Sequence, residues 1–107
     1  MNNRYRIVYY IPSQKHGSSY AVAALMERPE GLRLIVAVRI PCSCSFDKHV
    51  DHRPLINELL AKLAKDLPKK ITESIVISSK LQFGEIKRYP VRVKDPVHWL
   101  RRFILPH

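Results

Sequence analysis

The segment Arg53-Pro54-Leu55-Ile56-Asn57-Glu58-Leu59-Leu60-Ala61-Lys62-Leu63-Ala64-Lys65-Asp66-Leu67-Pro68 decides the fold class. Leu55, Ile56, Leu59, Leu60, Leu63 and Leu67 recur at spacings of three and four. That period lays one apolar stripe along an amphipathic helix, predicted over residues 54–67. Pro54 suits the first helical turn, where its missing N–H costs nothing, and Pro68 ends the helix. Glu58 and Lys62 stand four apart, the spacing of an intrahelical ion pair.

The residues before this helix alternate with period two. In residues 4–11, Tyr5, Ile7, Tyr9 and Ile11 point one way, and Arg6, Val8 and Tyr10 the other. Residues 19–27 place Tyr20, Val22, Ala24 and Met26 on one face, against a small, nearly apolar face of Ala21, Ala23, Leu25 and Glu27, so both faces are candidates for burial. Residues 32–40 carry an apolar face of Leu32, Leu34, Val36, Val38 and Ile40, and Pro41 stops the strand. Arg28-Pro29-Glu30-Gly31 has Pro and Gly where a hairpin turn wants them. Short links make the three strands an antiparallel meander.

After the helix, residues 71–79, centred on Ile75-Val76-Ile77, read as a fourth strand. Gly84 and Pro90 interrupt the next segment, leaving a short strand near residues 84–89 or an extended arm. Asp95-Pro96 opens a last helix, with Asp95 as N-cap and Pro96 in the first turn. Trp99, Leu100, Phe103 and Ile104 form its apolar stripe, and Arg101 and Arg102 face away. The expected fold is a single α+β domain over residues 1–107, a mostly antiparallel sheet in the order β-β-β-α-β-(β)-α with two helices packed on it.

Charge is the second strong signal. The chain of 107 residues has 19 Lys and Arg against 9 Asp and Glu, a formal charge of +10. Residues 1–40 hold six basic and two acidic side chains, residues 41–67 four of each, and residues 68–107 nine basic and three acidic. Such a surplus costs self-repulsion in the folded state unless an anionic partner offsets it, and nucleic acid is the commonest polyanion. No apolar run approaches the roughly 20 residues of a membrane helix. Asn2, Asn3, Arg4 and Arg6 lead straight into a strand rather than a leader's apolar core. Two cysteines do not make a disulfide framework, so a cytoplasmic location is expected, with no membrane partner.

Several residue groups are candidates for chemistry. Tyr10, beside Arg4 and Arg6 on the first strand, is a candidate to stack on an unpaired base while the arginines hold phosphates. Lys87, Arg88, Arg92 and Lys94 line an extended segment that could track a phosphate backbone, with Arg101 and Arg102 extending the patch. Against this stands an edge strand whose charges merely block aggregation. Cys42, Cys44, His49 and His52 fall within eleven residues and are of zinc-ligand type. Their C-x-C and H-x-x-H spacings differ from those of structural zinc fingers, so no cofactor is expected. Cys44, His49 and Asp47 or Asp51 hold the atoms of a Cys–His nucleophile without a known motif.

The element order is similar to the way ribonuclease H-like cores begin, an analogy of order alone. That resemblance implies clustered carboxylates holding two divalent metals, yet the first strand has no carboxylate. The leading expectation is therefore a small, basic, non-enzymatic nucleic-acid-binding protein, an accessory subunit of a larger nucleoprotein assembly. It would contact phosphates with low sequence specificity, on DNA or RNA. The alternative is an adaptor or regulator docking on an acidic protein. The third is a degenerate ribonuclease H-like or other phosphodiester enzyme.

Overall fold

The computed structural model describes residues 3–11, 19–37, 52–73 and 76–104. The elements are β1 Arg4–Tyr10, β2 Tyr20–Arg28, β3 Gly31–Val36, α1 Arg53–Lys65, β4 Leu81–Phe83, β5 Lys87–Arg88 and α2 Pro96–Arg101. The expected α+β order is present. One antiparallel sheet runs β3-β2-β1-β4, and β5 also pairs with β1. The crossover through α1 carries the chain from the β3 edge to the opposite edge of β1, where β4 lies antiparallel to it.

β1 sits at the centre, and both of its faces are covered. Val8 and Tyr10 lie in one apolar cluster with Ala23, Leu25, Ile56, Leu59, Leu60 and Leu63, so α1 covers this side. Tyr5 and Ile7 lie in a second cluster with Ala24, Met26, Ile35, Leu100 and Ile104, so α2 covers the other. The helix stripe behaves as its spacing predicts: Ile56, Leu59, Leu60 and Leu63 are buried. Glu58 and Lys62 pair at 3.8 Å on its exposed side.

The expected face of β2 is corrected at one point. Val8 pairs with Ala23, but Tyr9 pairs with Ala21, so Val22 is an extra residue in the ladder. Such a bulge reverses the alternation beyond it. Val22 therefore joins the α1 cluster, whereas Ala24 and Met26 join the α2 cluster. The β2–β3 turn is tight, as expected. Arg28 pairs with Gly31, and Gly31 has φ +133, a conformation that favours glycine.

The fourth strand is also corrected. Residues 69–72 and 77–80 bend and turn instead of pairing, and β4 begins only at Leu81. Ile71 is buried from a turn, while Val76 is 91% exposed. β-propensity needs a partner edge to be realised, and the open edge of β1 is taken by residues 81–88. Along that edge the pairing slips by one residue between Phe83 and Lys87, leaving Glu85 and Ile86 opposite Arg6. Gly84 makes the slip possible. Its N–H donates to the Ile7 carbonyl at 2.7 Å. A Cβ there would stand 2.9 Å from the Tyr9 ring and 3.1 Å from the Ile7 oxygen. α2 starts as the sequence predicts, with the Asp95 carboxylate accepting from the His98 N–H at 3.2 Å. No helix among the described residues is long and apolar enough to cross a membrane.

Candidate nucleic-acid interface

The cations of β1 are engaged inside the fold. Arg4 donates to both carboxylate oxygens of Glu27, at 2.9 and 2.6 Å, a two-pronged contact between neighbouring strands. The hydrogen bonds from Arg4 hold the Glu27 carboxyl below its ordinary range, against the opposing effect of burial. Arg6 reaches across the bulged edge. Its Nε donates to the Gly84 carbonyl at 2.8 Å, and its guanidinium lies 5.5 Å from the Phe83 ring centroid. Each arginine thus closes a contact between segments distant in sequence.

Tyr10 was expected to stand exposed beside Arg6, and its placement is a correction. Its exposure is 0%. The ring is packed under α1, and its hydroxyl shares a 2.7 Å hydrogen bond with Nδ1 of His52, the residue that opens the helix. Burial pushes the hydroxyl pKa up, so the group stays protonated at neutral pH. A ring with no open face cannot stack on a base. Arg6 shares the Tyr10 side of β1, which by alternation alone suggests a solvent-facing side. The structure shows that Arg6 lies at the margin while Val8 and Tyr10 lie beneath the helix.

Of the candidate zinc group, His52 is buried beside Tyr10, and Cys42, Cys44 and His49 lie outside the described residues. Asp47 and Asp51 lie outside them as well. Among the described residues no group of three or more His, Cys, Asp or Glu side chains comes together.

The basic C-terminal third divides. Lys87 and Arg88 are exposed on β5 at the sheet edge, and Arg88 donates to the Asn3 side-chain oxygen at 3.0 Å. Arg101 donates to the Val36 carbonyl at 3.0 Å, capping the end of β3. Arg92, Lys94 and Arg102 instead gather around α2. One open cleft of about 610 Å³ is lined by Pro90, Arg92, Val93, Asp95, His98, Trp99 and Arg102. A neighbouring cleft of about 450 Å³ is lined by residues that include Arg28, Arg33, Tyr89, Lys94 and Asp95. Asp95 lies between them. Arg28 pairs with Glu30 at 3.1 Å. Arg33, Arg92, Lys94 and Arg102 make no side-chain hydrogen bond or ion pair with another described residue, so their charge faces solvent.

Trp99 lines the first cleft, and three further rings pack against it. Trp99 meets the Tyr5 ring edge-on at 5.8 Å, Tyr89 at 6.2 Å and Phe103 at 5.0 Å. Phe103 is 41% exposed, where a place in the core stripe was expected. Leu100 on the helix and Ile104 just beyond its end are the buried members of the stripe, with Val97 and Trp99 packed partly against them. His98 carries no reading in the sequence, Arg33 enters only as a second-choice phosphate contact, and Trp99 only as a docking residue for an acidic protein. The signal was present in residues 90–102, where Trp99 stands among Arg92, Lys94, Arg101 and Arg102. No family model, curated protein or solved structure matches this chain.

Proposed function

We propose that this chain is a small, non-enzymatic nucleic-acid-binding protein, an accessory subunit of a larger nucleoprotein assembly, and that it holds phosphates around α2 with low sequence specificity. The observation that carries the reading is the gathering of Arg33, Arg92, Lys94 and Arg102 at two adjoining clefts. They come from β3, the β5–α2 loop and the end of α2. The two carboxylates nearby are engaged: Glu27 by Arg4, and Asp95 by the His98 N–H. Four cations of this kind, each displacing roughly 0.7–0.9 of a counterion per phosphate, give a log-affinity against log-salt slope of about −3 to −4. All eight cations nominated in the sequence would give roughly −6 to −7 on the same scale.

The test is a fluorescence-anisotropy titration of random-sequence DNA and RNA over a salt series. Arg92→Ala and Arg102→Ala should each weaken binding alike for all sequences and flatten the slope by about 0.7–0.9. Absence of binding at low salt overturns the reading. A second reading, an adaptor for an acidic protein, draws on the exposed apolar side chains Val91, at 63%, and Ile86 and Phe103, both at 41%. Its mark is tight binding to an acidic polypeptide that nucleic acid does not displace.

A further inference from the structure

We propose that the cleft beside α2 receives an unpaired base on the Trp99 ring, which makes the ligand single-stranded rather than duplex nucleic acid. The inference deepens the function proposed above and rests on it.

The cleft combines the two things that single-strand recognition needs. Aromatic rings stack on base faces, and such faces are open only when the base is unpaired. Cations beside the ring hold the phosphates that flank that base. Here Trp99 lines the same opening as Arg92 and Arg102, with His98 between them on the helix. The opening, about 610 Å³, lies within the roughly 300–1,000 Å³ of sites that take small organic groups. It has room for one nucleoside.

The ring is also held in place. Tyr5, at 6% exposure, supports it from the sheet, and Phe103 braces it from the turn that follows α2, at an interplanar angle of 61°. A fixed platform loses little side-chain freedom on binding. Arg92 and Arg102 guanidinium planes are themselves able to stack on bases. Lys94 and Arg33, in the adjoining cleft, continue the cationic surface past Asp95, so the strand extends beyond the nucleotide on Trp99. In a duplex the bases present only their edges, and the ring would have nothing to stack on.

Trp99 is the single tryptophan of the chain, so intrinsic tryptophan emission reports on this cleft alone. The experiment titrates the wild-type protein with an oligothymidylate, an oligouridylate, a duplex of equal length and polyglutamate, reading both tryptophan quenching and affinity. The expected result is quenching by the single strands and tighter binding of them than of duplex. Trp99→Ala should lower single-strand affinity about 5- to 150-fold, with the salt slope unchanged, and Trp99→Phe should restore most of it. If Trp99→Ala does not fold, wild-type quenching and Phe103→Ala decide. Phe103 is half open to solvent, and its loss leaves the buried helix face intact. Single-strand binding without quenching, or equal binding and quenching by duplex, overturns the inference and leaves the proposed function standing. Quenching by polyglutamate with affinity equal to that for the single strands also overturns it, in favour of an acidic protein partner. No binding of any nucleic acid at low salt overturns both.

Discussion

Replacing Tyr10 by Phe separates the two roles that its position has suggested. The substitution removes one hydroxyl and keeps the ring. The ring contact with His52, at 5.6 Å and 64°, is retained, while the 2.7 Å hydrogen bond to Nδ1 is lost. Both residues are buried, so His52 loses a partner that water cannot readily replace. The cost of leaving a buried polar group short of a hydrogen bond is ~1–3 kcal/mol. At a urea m value of about 2 kcal/mol/M, a loss of ~2 kcal/mol moves the midpoint down by about 1 M. Tyr10→Ala adds a cavity at a site with no exposed surface and should cost ~3–5 kcal/mol. The pH dependence gives a second check. Burial raises the Tyr10 pKa above its ordinary value, so its contribution is complete below the unfolded value of about 10 and is lost as pH rises through the folded one. The stability gap between wild type and Tyr10→Phe should therefore narrow in alkali. Urea unfolding at neutral and alkaline pH, alongside nucleic-acid binding under folding conditions, reads all of this. Wild-type stability in Tyr10→Phe, combined with a fivefold or greater loss of single-strand affinity, would refute a core role for Tyr10.

Leu63→Ala should cost ~2–5 kcal/mol, since the side chain is fully buried between α1 and the sheet, and Lys62→Ala should be nearly neutral by comparison; thermal or urea unfolding compares them. Gly84→Ala should destabilise, because the added Cβ meets the Tyr9 ring and the Ile7 carbonyl at an approach that backbone pairing fixes; the melting temperature checks it. Glu27→Gln should lower stability at neutral pH by weakening the Arg4 contact. Because the folded carboxyl pKa is depressed, that contribution is present above the unfolded value of about 4.3 and is lost as pH falls through the folded value. The difference between wild type and Glu27→Gln should shrink in acid unfolding curves.

The α+β order was readable because each helix and most strands announce themselves locally. The α1 stripe needs only spacing, the Asp95-Pro96 start of α2 needs only cap chemistry, and the β2–β3 turn needs only Pro29 and Gly31. The misread elements turn on non-local competition. Ile75-Val76-Ile77 has the composition of a strand, but β1 has one open edge, and residues 81–88 hold it. The Val22 bulge adds one residue to β2 without any local mark, since its neighbours Ala21, Ala23 and Ala24 fit either face. Alternation then assigns Ala24 and Met26 to the wrong side of the sheet.

The candidate site was less legible for a related reason. A cation's availability depends on what lies across the strand or around the corner, and sequence spacing does not contain that information. Arg4, Arg6 and Arg101 resemble Arg92 and Arg102 in the sequence. In the structure Arg4 meets Glu27 on the neighbouring strand, Arg6 meets Gly84 across the bulged edge, and Arg101 meets the end of β3. Each of these would give up a made contact in order to hold a phosphate, so each is a poor electrostatic ligand whatever its exposure. The cations left for a polyanion are those that make no such contact, and among the described residues Arg33, Arg92, Lys94 and Arg102 meet that condition around two adjoining clefts, although the Asp95 carboxylate lies between them. Trp99 follows the same logic on the apolar side. Helical spacing puts Trp99, Leu100, Phe103 and Ile104 in one stripe, but a helix of six residues presents only a narrow face to the sheet. Leu100 fills that face and Ile104 continues it beyond the helix end, which leaves Trp99 only partly buried, beside the guanidiniums of Arg92 and Arg102.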